Sequence, residues 1–374
     1  MQFELFDETK RLHKVMLGTW FLPEYFDSIK SSNIKQQLQT IAQQTHEDLD
    51  NFENVLKSYG VEVYRPIAPS GTYDPTVKMN PALNVRDTFR TIGDTLYKFN
   101  SKGKYYDDAI QQVLPVFTDL SSILEDANRL EYLPKYSEQH YNLIAGSSWP
   151  SFVSYCNKNY TVDQQIQDEI DSYEESLQYY DTNPPEGPNI IISDGEIIVD
   201  HHEYVDFVKI LKQHIPTDLK WKSICTLGGH TDGMFNLLNK DTVIGVREVV
   251  EKFMPHIPNK IMVEQENYQS HIDEFNKHKA NVGGKWWVPG QENNTEFTEF
   301  VNNYLTHLVG YVEETQFDVN VLSLDEKTVF VIGGNGNYVQ ELANYGIEAI
   351  VVPWRHRWFH DGGLHCITLD LVRK

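Results

Sequence analysis

Basic charge is what this chain lacks most: 32 Lys and Arg stand against 54 Asp and Glu, a formal net charge of −22 over 374 residues. A surface of that sign repels nucleic-acid phosphates and anionic lipid, so both drop out as partners, and it steers small cations inward. Long apolar runs are also missing. No stretch approaches the roughly eighteen residues of a membrane-crossing helix, and Met1 to Arg11 lacks the basic-then-apolar order of a secretion signal. Cysteine is scarce, with Cys156, Cys225 and Cys366 far apart and odd in number. That excludes a disulfide framework and leads us to expect reduced thiols in a cytoplasmic protein. Aromatic residues are plentiful instead, and the 21 Tyr, 18 Phe and 7 Trp argue for a packed core.

Repetition organises the chain. Three segments share an order of apolar strand, tight turn, strand, helix and closing strand, a ββαβ unit. The clearest runs from Asn320-Val321-Leu322-Ser323-Leu324 through Asp325-Glu326-Lys327 to Thr328-Val329-Phe330-Val331-Ile332. A helix near Tyr338 to Tyr345, stopped by Gly346, and a strand from Glu348 to Val352 complete it. The second has Ile190-Ile191-Ile192, the hairpin signal Asp194-Gly195, Glu196 to Val199, a helix around Tyr204 to His214 and a strand from Trp221 to Cys225. The third has Met234 to Leu238, Asn239-Lys240-Asp241, Thr242 to Gly245, a helix around Glu248 to Met254 and Lys260 to Val263. Weaker copies lie at Val15 to Gly18, with a long helix from Ile34 to Tyr59 closing on Val61 to Tyr64, and at Thr88 to about Leu120. About five units fit the length. Stretches at about 119–188 and 264–314 read as insertions into one domain spanning 1–374, placed to cover a central site. In the second, Trp286-Trp287 serves either as a lid or as core packing.

Two short motifs carry chemistry. Gly362-Gly363-Leu364-His365-Cys366 sets a thiol after two glycines that let backbone approach a ligand. As a thiolate Cys366 is a nucleophile; as a thiol it is one more small buried hydrophobe. In Gly228-Gly229-His230-Thr231-Asp232-Gly233, extended chain puts His230 and Asp232 on one side, facing one pocket, whereas the plain alternative is a surface histidine and a capping acid. Metal ligation is the rival for His356, His360, His365 and Cys366, and for Asp200, His201, His202 and Glu203. Pro353 and Gly362-Gly363 bracket an irregular segment, and the second group reads as an acidic helix start, so no metal is expected.

The run Asn320-Val321-Leu322-x-Leu324-Asp325-Glu326-Lys327, together with Gly362-Gly363-Leu364-His365-Cys366-x-Thr368-x-Asp370-x-x-Arg373, resembles the C-terminal module of arginine:glycine amidinotransferase and its guanidino-group-modifying relatives. His230-Thr231-Asp232 followed by Phe235-Asn236 is similar to that family's His-x-Asp motif. Arg86-Asp87 in Asn84-Val85-Arg86-Asp87 resembles its Arg-Asp pair, with a helix and strand like Asn54 to Pro66 upstream. The resemblance covers most of the chain in scattered blocks and leaves the two insertions unmatched.

It implies an α/β fold, the five-bladed α/β-propeller or pentein, with five ββαβ modules around a central channel. It further implies that Cys366 attacks the guanidinium carbon of L-arginine, that His230 moves protons and that Asp87 and Asp232 grip the guanidinium. A carboxylate that orients the histidine falls at Glu186 in Glu186-Gly187-Pro188-Asn189, with Asp181 in reserve. Amidinotransferases usually carry Asp there and arginine deiminases Glu, which blurs transferase against hydrolase. Arg247 falls near the arginine that holds the substrate carboxylate, and Thr315, beside Glu314, near an acceptor contact. The expected reaction is a ping-pong transfer to glycine, giving ornithine and guanidinoacetate, with hydrolysis to citrulline and ammonia as the alternative and guanidino-ligand binding without chemistry as a third reading. No cofactor is required, and a homodimer is compatible with the sequence.

Overall fold

The structure is a computed structural model that describes residues 2–125, 184–201, 206–226, 230–263, 286–309, 318–333 and 338–374. In chain order the elements are β1 (Leu12–Leu17), α1 (Ser32–Ser58), β2 (Glu62–Tyr64), β3 (Phe89–Ile92), β4 (Thr95–Lys98), α2 (Lys104–Val113) and β5 (Thr118–Asp119). Next come β6 (Ile190–Ser193), β7 (Glu196–Asp200), α3 (Phe207–His214), β8 (Lys220–Ile224), α4 (Thr231–Met234), β9 (Phe235–Asn239), β10 (Thr242–Val246), α5 (Arg247–Phe253) and β11 (Asn259–Val263). The remainder is α6 (Thr295–Tyr304), β12 (Leu322–Asp325), β13 (Thr328–Val331), α7 (Tyr338–Asn344), β14 (Glu348–Val351), α8 (Arg357–His360) and β15 (Thr368–Arg373).

These strands make five three-stranded sheets of one design. Two strands form an antiparallel pair, and a helical crossover brings the third back parallel to the middle one. Asp194 and Gly195 both take positive φ, 49° and 77°, which is the hairpin turn their sequence predicts. The first sheet departs in one respect. Its antiparallel partner for β1 is β15 from the far end of the chain, with Val15 opposite Asp370 and Leu17 opposite Thr368. The chain therefore closes on itself.

Packing confirms the ring. The apolar core divides into five clusters, and each lies between two consecutive sheets, including one between the last sheet and the first. Alternate residues of a strand feed different seams: in β13, Val329 and Val331 join the fourth sheet's cluster while Phe330 joins that of the first. Strands covered on both faces need no polar face, which is why Ile190-Ile191-Ile192 and Val329-Phe330-Val331 are unbroken apolar runs. Each such side chain sealed from water contributes about 1.5–3 kcal/mol.

Helix α1 packs its face of Ile34, Leu38, Ile41, Leu49, Phe52 and Leu56 into the seam between fifth and first sheets. Trp286 and Trp287 lie in the same seam, 0% and 5% exposed, with Trp286 edge-on to Phe297 and Phe359. The pair packs the core rather than forming a lid, because their rings find aromatic partners there. Residues 264–285 of that stretch, and 126–183 of the earlier one, fall outside the described residues. No helix among the described residues is long and apolar enough to cross a membrane.

Candidate active site

Cys366 is 2% exposed, in the turn before β15. Asn320, on the approach to β12, holds it: Asn320 Oδ1 accepts the backbone N–H of His365 at 3.0 Å and of Cys366 at 3.1 Å, and Nδ2 donates to Cys366 Sγ at 3.0 Å. The two glycines serve this grip rather than the approach of a ligand. A Cβ on Gly363 would lie 2.5 Å from Asn320 Oδ1, and one on Gly362 would lie 2.5 Å from Asn84 Oδ1. Neither position needs a positive φ.

His230 Nε2 lies 3.2 Å from Glu186 Oε2, and a second hydrogen bond links its side chain to Cys366. Asp87, His230 and Cys366 each bring a donor or acceptor atom within 4.8 Å of the others. Burial alone would depress the His230 pKa, yet the bonds to Cys366 and Glu186 and the charge of Asp87 raise it well above the ordinary value. Burial would likewise raise Glu186, but His230, Lys102 and Asn100 hold that carboxyl below its usual range. A protonated imidazole beside a thiol favours the thiolate.

His230 caps α4 and Asp232 sits within its single turn, so the segment is helical and not the extended chain the two-residue spacing suggested. Both side chains nevertheless reach the Cys366 sulfur. Asp232, fully buried, takes His365 Nδ1 on Oδ2 at 2.7 Å, and the same oxygen is 3.5 Å from Cys366 Sγ. His365 Nε2 in turn stands 3.7 Å from Glu8. Beneath this, Glu8 pairs with Arg90, and Asp370 with Arg86 at 3.3 Å and Arg373 at 3.1 Å. Glu8, His365 and Asp370 also have metal-ligand proximity, but arginines already neutralise both carboxylates.

Asp87 ends the short turn Val85–Asp87 and pairs with Lys102. Burial raises its pKa, and the Lys102 and His230 charges oppose the rise. Gly187 makes this meeting feasible: a Cβ there would stand 2.0 Å from Arg86 O, so the chain carrying Glu186 lies directly against the chain carrying Asp87. A cavity of about 170 Å³ opens above, with Asp87, Lys102, Tyr106, His230, His307 and His360 among its walls.

Arg247 is exposed at the start of α5, where its Nη1 is 3.4 Å from Glu251, and it does not line the cavity. Thr315, Glu314 and Asp181 fall outside the described residues. Of the two histidine groups weighed for metal, His356 bonds Gln44 Oε1 at 2.7 Å and His360 bonds Thr45 Oγ1 at 2.8 Å. His201 lies 3.0 Å from Ser223 Oγ, while His202 and Glu203 lie outside the described residues.

Three residues of the site escaped the sequence reading in these roles. Asn320 figured only as part of a strand run. Lys102 drew no notice, since a lone lysine before a helix has no signature. Asp200 was weighed with metal ligands; instead it accepts Thr226 N–H at 2.9 Å and Thr231 Oγ1 at 2.8 Å, tying down the residue after His230.

Five ββαβ sheets ringed about a buried thiol are the α/β-propeller, the pentein fold. No family model matches the chain, and no curated protein matches it in sequence. Two solved structures share the fold across the whole chain. One is the saxitoxin-pathway amidinotransferase SxtG from Microseira wollei, at TM-score 0.55 and 15% identity, covering 100% of this chain and 97% of that one. The other is the inosamine-phosphate amidinotransferase StrB1 from Streptomyces griseus, at TM-score 0.55 and 13% identity with the same coverage.

Proposed function

We propose that the protein is an amidinotransferase that takes the amidino group of L-arginine and passes it to an amine, with glycine the expected acceptor. The observation that carries this reading is the meeting of Cys366, His230 and Asp87 within 4.8 Å, with Asp232 Oδ2 3.5 Å from the sulfur. A guanidinium is planar, delocalised and weakly electrophilic, so carboxylates must orient it before a thiolate adds to its carbon. Asp87 and Asp232 supply the carboxylates. The fold shared with two amidinotransferases is in keeping with this chemistry.

In the first half-reaction the Cys366 thiolate forms a C–S bond to the guanidinium carbon. The C–N bond to the departing chain then breaks as His230 gives its proton to the leaving nitrogen. Ornithine departs and an amidino-thioether remains. In the second half the acceptor enters as the free amine, its ammonium proton having passed to the departing ornithine or to solvent; its nitrogen adds to the same carbon, His230 takes the second proton that this nitrogen sheds, and the C–S bond breaks to restore the thiolate. Glu186 stabilises the imidazolium before the first proton transfer and after the second. No step needs a metal or an organic cofactor.

The test is incubation of the protein with L-arginine, with and without glycine, followed by mass spectrometry. Guanidinoacetate rising in step with ornithine, and only when glycine is present, supports the transfer. Citrulline and ammonia regardless of glycine would move the assignment to hydrolysis, and no product at all would leave guanidino-ligand binding.

A further inference from the structure

The cavity already contains a cation where a guanidinium is expected. Lys102 Nζ pairs with Asp87 Oδ2, and the opposite oxygen, Oδ1, is buried and has no hydrogen-bond partner among the described residues. A guanidinium engages a carboxylate with two parallel N–H donors, one to each oxygen. It therefore reaches its full geometry on Asp87 only when Lys102 gives up Oδ2. The lysine is built to yield: its side chain is 36% exposed, while its backbone carbonyl is fixed by Asn80 Nδ2 at 2.8 Å. The ammonium can swing and the loop need not.

Among the described residues a displaced ammonium keeps only Glu186 in reach, a carboxylate already shared with His230 and Asn100, and so has capacity for a further anion. We propose that Lys102 is the anion subsite of the pocket and receives a carboxylate carried one or two carbons from the atom that reacts at Cys366, in exchange for Asp87. The short spacing follows from geometry. Lys102 touches Asp87, whose carboxylate lies within 4.8 Å of the Cys366 sulfur, so only a compact molecule bridges sulfur and ammonium. Short α-amino acids have that shape. The inference deepens the transfer reading by assigning the residue that selects a carboxylate-bearing acceptor over a plain amine. The acid excess around the site supports it: Asp87, Glu186 and Asp232 would repel a carboxylate if Lys102 did not stand among them.

Iodoacetate carries its carboxylate directly on the carbon that thiolates attack, the most compact case, and iodoacetamide is its neutral counterpart. Alkylation of Cys366, followed peptide by peptide so that the other thiols are counted apart, tests the subsite without any turnover assay. The wild-type rate should saturate with iodoacetate and stay linear with iodoacetamide. In Lys102→Met half-saturation should rise at least tenfold, and Lys102→Arg should keep most of the wild-type behaviour. A linear iodoacetate rate in the wild type, or unchanged half-saturation in Lys102→Met, would overturn the subsite. A Cys366 no faster than free cysteine toward iodoacetamide would instead count against the nucleophile reading, and the saturation test would still decide the role of Lys102.

Discussion

Asn320 holds Cys366 from two sides, its Oδ1 on the cysteine's backbone N–H at 3.1 Å and its Nδ2 on the sulfur at 3.0 Å. One side chain just ahead of the fifth sheet thus orients the turn that presents the thiol and also supplies a hydrogen bond to the sulfur. A donor so placed favours the thiolate over the thiol.

Replacing Asn320 by Ala should remove both effects. Carboxamidomethylation of Cys366 at neutral pH is expected to slow about tenfold. Two buried N–H groups lose their acceptor, so urea unfolding should report a loss of about 1–3 kcal/mol. Wild-type alkylation in a destabilised variant would confine Asn320 to a structural role.

Cys366→Ala is expected to abolish turnover while L-arginine binding, read by calorimetry, persists. The carboxylates that hold the guanidinium are untouched by the change. Retained turnover would remove Cys366 from the mechanism.

In Glu186→Gln the His230 imidazolium loses its charged partner. The His230 pKa should come down toward the ordinary value, moving the alkaline limb of kcat/KM to lower pH, with a loss of about 10²-fold or more. Titration of His230 by NMR checks the shift directly, and an unmoved titration would count against the pairing.

Gly187→Ala should destabilise by about 1–3 kcal/mol or more, because the new methyl meets the backbone carbonyls of Arg86 at 2.0 Å and of Phe89 at 2.6 Å. Thermal unfolding reads this. An unchanged midpoint would mean that the contact between the two loops is looser than described.

Acid should weaken the fold through three buried histidines, while Asp200, which burial raises to about 6, opposes them as it takes up its proton. Burial lowers His356 and His365 to about 4, helped by Arg355 and Arg86 respectively, and lowers His360 well below its usual value. Between about pH 6.5 and 4 the unfolded chain binds these protons and the folded chain does not, so stability falls as pH falls through that window. His230 has the opposite sign, its raised pKa adding stability that is lost only as pH rises through the folded value. Unfolding midpoints measured across the window should flatten in His356→Gln, and an identical slope in that variant would exclude His356 as a contributor.

Much of the fold was legible because each module is local. Apolar runs flanking Asp194-Gly195 or Asp325-Glu326-Lys327 make a hairpin by turn chemistry, and α1 and α7 end within about two residues of their expected bounds. The site was legible in part. Cys366 and the pair His230 and Asp232 stand out from their glycine-flanked motifs, whereas Asp87 and Glu186 came into view only through the family resemblance. Asn320 and Lys102 do not stand out, since an amide and an ammonium gain their roles only from what lies opposite them. Arg247, which the resemblance placed near the arginine that holds a substrate carboxylate, is exposed at the start of α5 with Glu251 3.4 Å away.

By itself the sequence determined the repeated unit and its approximate count, which follow from short-range periodicity and turn preference, and the candidate site residues came with the resemblance its motifs carry. Tertiary structure alone decided that β15 completes the sheet of β1, that Gly362 and Gly363 make room for two asparagines, and that Lys102 stands on Asp87. Each of these is a contact between segments distant along the chain. Such contacts are chosen by which surfaces remain unpaired once the local units have formed, and no window of neighbouring residues contains that information.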